Sequence, residues 1–137
     1  MGIEGVMKIG IATKDLDKTA ALLADALGLV PGEAVAYEPL GMRYRILMVG
    51  SFFIEVIEPV GSDGPIAKFI ERNGEGLQHI TFKVSNIEQV MADMKSKGAR
   101  FTSSAPVRLN TAIGLVKFAF MNPRGSNGVL IQLMEKL

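Results

Sequence analysis

Cysteine is absent from the 137 residues, which excludes a disulfide framework. No apolar run approaches the roughly 18 residues that a bilayer span requires, so no membrane partner is expected. Neither sign of charge prevails. Fifteen Lys and Arg stand against fourteen Asp and Glu for a formal charge of +1, with no basic stripe of the kind that phosphate-backbone binding needs, so nucleic acid is not an expected partner either. The N-terminus lacks a charged segment followed by an apolar core and a cleavage site, which makes the cytoplasm the expected location. Low-complexity segments and long linkers are missing as well, and histidine occurs once, at position 79.

What the chain does have is apolar material and internal similarity. With 48% hydrophobic residues and a mean hydropathy of +0.28 it can bury a core, and its length suits one domain whose halves would each be marginal alone. Lys8-Ile9-Gly10-Ile11-Ala12 opens an apolar strand followed by a helical pattern, and His79-Ile80-Thr81-Phe82-Lys83 does so again. Ile54-Glu55-Val56-Ile57-Glu58 returns as Ile131-Gln132-Leu133-Met134-Glu135. The offsets are similar, 79 − 8 = 71 and 132 − 55 = 77. Two related halves packed face to face would carry Lys8, Glu55, His79 and Gln132 toward one axis.

Along the chain, Asp15 is placed to cap a helix through Leu16, Ala20, Leu23 and Leu27 that ends at Gly28. Pro31 and Gly32 mark a loop, and 42–49 and 52–57 read as strands joined at Gly50-Ser51. A connector follows at 61–75, where Ile66, Phe69 and Ile70 predict a short helix closed by Asn73-Gly74. The second round has a strand from His79, then Asn86 as N-cap with Gln89 completing a capping box, and a helix ending at Gly98. It closes with strands at 115–121 and 129–134. The expected fold is α+β: two βαβββ modules, 5–60 and 76–137, forming a curved mixed sheet around a central cleft, with helices outside and a ligand between the inner faces.

The four polar strand residues each have two readings. His79 is either a satisfied core imidazole or a ligand, and Glu55 either follows ordinary strand alternation to solvent or points into a desolvated site that needs a cation. Gln132 can satisfy a buried partner or lend an oxygen to a divalent ion. A lysine beside such an ion is unfavourable, so the simplest arrangement pairs Lys8 with Glu55. Arg43 and Arg45 share one strand face, either solvated or lining the cleft; Glu58 and Glu135 are expected in solvent. The eight methionines read as core filler, and exposed sheet edges suggest a homodimer.

The segments 8–16, Phe53-Ile54-Glu55-Val56-Ile57-Glu58-Pro59, Pro65-Ile66-Ala67-Lys68-Phe69-Ile70, Gly74-Glu75-Gly76-Leu77-Gln78-His79-Ile80 and 122–133 resemble methylmalonyl-CoA epimerases, of the vicinal oxygen chelate superfamily that includes glyoxalase I. The resemblance implies paired βαβββ modules, an isomerase that moves a proton on an acyl-CoA or similar carbonyl compound, and a divalent metal (Co, Ni, Zn or Mn) held at four positions. Of those positions Glu55 and His79 match, with Gln132 as a weaker third ligand. Lys8 stands where a histidine is expected and Gln132 where a glutamate is, so the metal is expected to be weakened or lost. Tyr44 and Gln132 occupy the positions of the two usual proton-carrying glutamates, and Arg108-Leu109-Asn110-Thr111-Ala112 replaces a glycine-rich loop. The residues expected to act are Lys8, Glu55 and His79 as catalytic groups, with Arg43, Tyr44 and Arg45 as contacts for an anionic small molecule. Two other outcomes are a non-catalytic binding protein of the same fold and a glyoxalase I-like lyase.

Overall fold

The computed structural model describes residues 2–137. Its elements are β1 (Ile3–Ala12), α1 (Leu16–Leu27), β2 (Val35–Tyr37), β3 (Met42–Val49), β4 (Phe52–Pro59), α2 (Pro65–Asn73), β5 (Gly76–Val84), α3 (Ile87–Ser96), β6 (Val107–Thr111), β7 (Gly114–Phe120) and β8 (Ile131–Lys136). Two one-turn 3₁₀ helices, Glu38–Leu40 and Pro123–Gly125, fill loops. The fold is α+β, and the order βαβββ occurs twice with α2 between. The described residues form two compact units, one of residues 8–78 and one of residues 2–7 with 79–137, so that β1 contributes to both.

In the unit of residues 8–78 the strand order is β2-β3-β4-β1, with β4 antiparallel to β3 and parallel to β1. A parallel neighbour requires a crossover, and α1 begins it. Asp15 accepts from the Lys18 amide at 3.1 Å as N-cap, and Gly28, left-handed at φ 69°, closes the helix as its sequence requires. Leu16, Ala20 and Ala24 of α1 pack on Leu47 and Val56. Strand alternation then assigns the opposite face to Lys8, Ala12, Tyr44, Phe53, Glu55 and Ile57, where Ile66 and Ile70 of α2 pack on Ala12, Tyr44 and Ile57.

In the other unit the order is β1-β5-β8-β7-β6, with β5 parallel to β8. Val90 and Met91 of α3 pack on Val84, Ala119 and Leu133, leaving the opposite face to His79, Thr81, Phe118, Phe120, Gln132 and Met134.

Several local expectations need correction. The segment around Arg108 to Thr111, read as loop, is β6, paired with β7 in register Val107↔Phe118 to Thr111↔Gly114; its polar residues suit a strand at the end of a sheet. Val35–Tyr37 is likewise a short strand, too brief to show a period. Asn86 is left-handed at φ 53° and makes no side-chain cap, and Gln89 bonds Asp93 instead of completing a capping box. The amides of Asn86, just before α3, and of Ile87, its first residue, donate to Glu135 at 2.7 and 3.2 Å. Glu58 does the same for the Leu16 amide of α1 at 3.3 Å. Both glutamates, expected to face water, instead tie the last strand of their module to the N-terminus of its helix, where the dipole favours an anion.

Candidate active site

Lys8 and Glu55 lie 47 residues apart in sequence, and the parallel pairing of β1 with β4 brings them together. Lys8 Nζ donates to Glu55 Oε2 at 2.9 Å, and both side chains are buried, 8% and 10% exposed. Directly opposite Glu55 in the register is Gly10, which offers no side-chain partner, so the carboxylate takes its donor from Lys8 two residues back. An ion pair this buried is stable only while both members remain, because either charge alone would be desolvated without compensation.

In the second unit His79, Thr81 and Gln132 are all buried on one face. Thr81, opposite Gln132 in the register, donates its hydroxyl to Gln132 Oε1 at 2.6 Å. The His79 ring meets Phe120 edge to face at a centroid distance of 6.2 Å, and Phe120 meets Phe118 at 5.7 Å. Thr81 and the two phenylalanines were not singled out in the sequence, although alternation from His79 and from Gln132 identifies them once the register is known. The imidazole thus sits against an aromatic wall with one buried hydroxyl–amide bond nearby on the same face.

The arginines expected to contact substrate do not share the face of Glu55. Arg43 and Arg45 point to the α1 side of the sheet, where Arg43 Nε donates to Glu58 at 2.7 Å and Arg45 Nε to Asp17 at 3.0 Å. The hydrogen bond and charge of Glu58 hold the Arg43 guanidinium above its ordinary pKa. As strand period 2 requires, residues 43 and 45 share a face, and it is the one that carries Leu47. Tyr44, between them, is buried on the face of Glu55.

The model of the glyoxalase/bleomycin resistance protein/dioxygenase superfamily matches residues 7–120. The chain belongs to this superfamily. Within it, mitochondrial methylmalonyl-CoA epimerase of Homo sapiens is 33% identical over 128 residues, which span 93% of this chain and 71% of that one. A solved variant of methylmalonyl-CoA epimerase from Streptomyces coelicolor, in complex with 2-nitronate-propionyl-CoA, superposes with a TM-score of 0.88 at 28% identity and covers 98% of both chains. A further methylmalonyl-CoA epimerase, in complex with methylmalonyl-CoA and NH4+, gives the same TM-score of 0.88 and 28% identity, covering 98% of this chain and 95% of that one. The sequence resemblance to epimerases is upheld.

Proteins of this superfamily typically hold a divalent metal. The residues here do not fit one. Among the described residues no three His, Cys, Asp or Glu side chains gather as a metal site would require. Glu55 already accepts from an ammonium, which offers no lone pair while protonated and repels a cation, and the Gln132 oxygen is engaged by Thr81. Among the described residues no helix is long and apolar enough to cross a membrane.

Proposed function

We propose that this chain is an epimerase-type isomerase that removes and returns the proton next to the thioester carbonyl of a small acyl-CoA such as methylmalonyl-CoA. The observation that carries the reading is similarity along nearly the whole chain to methylmalonyl-CoA epimerases, in sequence at 33% identity and in structure at a TM-score of 0.88. The polar residues of the paired strands support it. Epimerisation needs groups able to hold a proton, and Glu55 and His79, each buried, are the two proposed carriers. Tyr44, on the face of Glu55, is the proposed substrate contact; Arg43 and Arg45 drop out of that role. The cytoplasm and a homodimer remain part of this reading.

The test is exchange of the substrate α-hydrogen. Methylmalonyl-CoA incubated with the protein in heavy water should lose its C2–H resonance at a rate proportional to protein concentration, and Glu55→Gln and His79→Gln should each slow the loss. Wild-type protein that leaves the resonance unchanged overturns the assignment. A second reading, a non-catalytic binding protein, draws on the closed Lys8–Glu55 pair, in which the carboxylate is already engaged; its signature is a methylmalonyl-CoA-dependent rise in melting temperature without exchange.

A further inference from the structure

The mismatch between this site and a metal leaves a chemical demand unmet. As the α-proton leaves, the C–H electron pair becomes the C=C bond of an enolate and the carbonyl π pair moves onto the thioester oxygen, so a negative charge develops there and needs a positive partner. We infer that Lys8 Nζ is that partner, and that the reaction proposed above runs without a metal. The inference rests on the epimerase reading and specifies its electrophile.

The Lys8–Glu55 pair is built for such an exchange of partners. Before reaction the ammonium faces the Glu55 carboxylate at 2.9 Å. When Glu55 takes the substrate proton it becomes neutral, and the negative charge it carried reappears on the enolate oxygen. The ammonium then balances the oxygen as it had balanced the carboxylate; delivery of a proton to the opposite face of the carbon by the second carrier discharges the enolate, and release of the proton held by Glu55 to water, with uptake of one by that second carrier, restores the original pair. Net charge in the buried region is unchanged over the full cycle, and no co-reactant is consumed. Lys8 has three N–H donors, one of them given to Glu55 Oε2, so it can engage the oxygen without first releasing the carboxylate. Its side chain is 8% exposed, which keeps the charge from being screened by water.

The experiment measures exchange of methylmalonyl-CoA in heavy water by the intact wild-type protein, once after dialysis against EDTA and once with added Co2+, and titrates Co2+ into the protein calorimetrically. The expected result is the same rate within twofold under both conditions and no Co2+ binding. Lys8→Met should lower the rate roughly 100- to 1000-fold, the loss typical of deleting one donor to a developing oxyanion, while Lys8→Arg, which keeps the charge, should retain more activity than Lys8→Met. Exchange that EDTA abolishes and Co2+ restores overturns the inference and leaves the epimerase reading intact. Full activity in a folded Lys8→Met protein also overturns it alone, whereas no exchange under either condition overturns both. Should Lys8→Met fail to fold, the EDTA and Co2+ measurements on the wild type still decide.

Discussion

Replacing Lys8 by Met should destabilise the protein far more than replacing both members of its pair. The Glu55 carboxylate is 10% exposed and receives a hydrogen bond at 2.9 Å from Lys8. Breaking a buried pair on one side costs about 3–5 kcal/mol, because the remaining charge is desolvated without a partner. At about 2.1 cal/mol/K per residue, the 137 residues give an unfolding entropy of roughly 0.29 kcal/mol/K, so the cost corresponds to a fall in Tm of roughly 10–17 °C. In the double variant Lys8→Met/Glu55→Met no charge is left behind, and apolar side chains of similar length fill the same space. Such replacements are often neutral or stabilising, so its midpoint should lie within about 1 kcal/mol of wild type or above it. Urea titrations of the wild type, both single variants and the double variant measure the cycle. If the double variant is as unstable as the sum of the single ones, the pair is not held by mutual compensation and the reasoning fails. A stable double variant that no longer exchanges substrate hydrogen would show that the pair is kept for chemistry and not for the fold.

Thr81→Val should cost about 1–3 kcal/mol, since it strips the buried Gln132 oxygen of its 2.6 Å donor, and it should move the urea midpoint without changing the slope. Glu135→Ala removes the acceptor for two amides at the start of α3 and should cost about 0.5–2 kcal/mol, with faster hydrogen exchange at Asn86 and Ile87 and none of that change in α1. Arg45→Ala, on the α1 side of the sheet, should change stability by no more than about 0.5 kcal/mol and leave substrate exchange within twofold of wild type. A tenfold loss of exchange would return Arg45 to substrate contact.

How much was legible in the sequence depended on whether a signal was local. The α1 cap at Asp15, the helix end at Gly28, the Gly50-Ser51 turn and the α2 stop at Gly74 are set by neighbouring residues, and the structure has each where its residues place it. The Lys8–Glu55 pair was accessible as well, because an ammonium and a carboxylate on matching apolar strands have few other ways to be buried. Strand register was not accessible. Which face holds Arg43 and which holds Tyr44 depends on whether β3 aligns Tyr44 or Arg45 with Ile57, and a shift of one residue inverts every side chain. The capping of α3 by Glu135 escaped for a related reason, since its partner amides are 49 and 48 residues away.

The repeat, once structural, explains why the two halves solve the same burial problem differently. Position 10 follows Lys8 by two residues as position 81 follows His79, and the registers Gly10↔Glu55 and Thr81↔Gln132 are equivalent. Where the second module has a hydroxyl opposite a neutral amide, the first has a glycine opposite a carboxylate, and the missing donor comes from Lys8. Placing a hydroxyl at position 10 would offer Glu55 a neutral partner and weaken its claim on the ammonium. The glutamates at 58 and 135 perform the same helix-tying role in both modules, so the two frames are alike while the polar residues on the opposite strand face of each module differ. That difference places a formal charge pair in one module and a neutral hydrogen bond in the other, the asymmetry expected if one module supplies the electrophile.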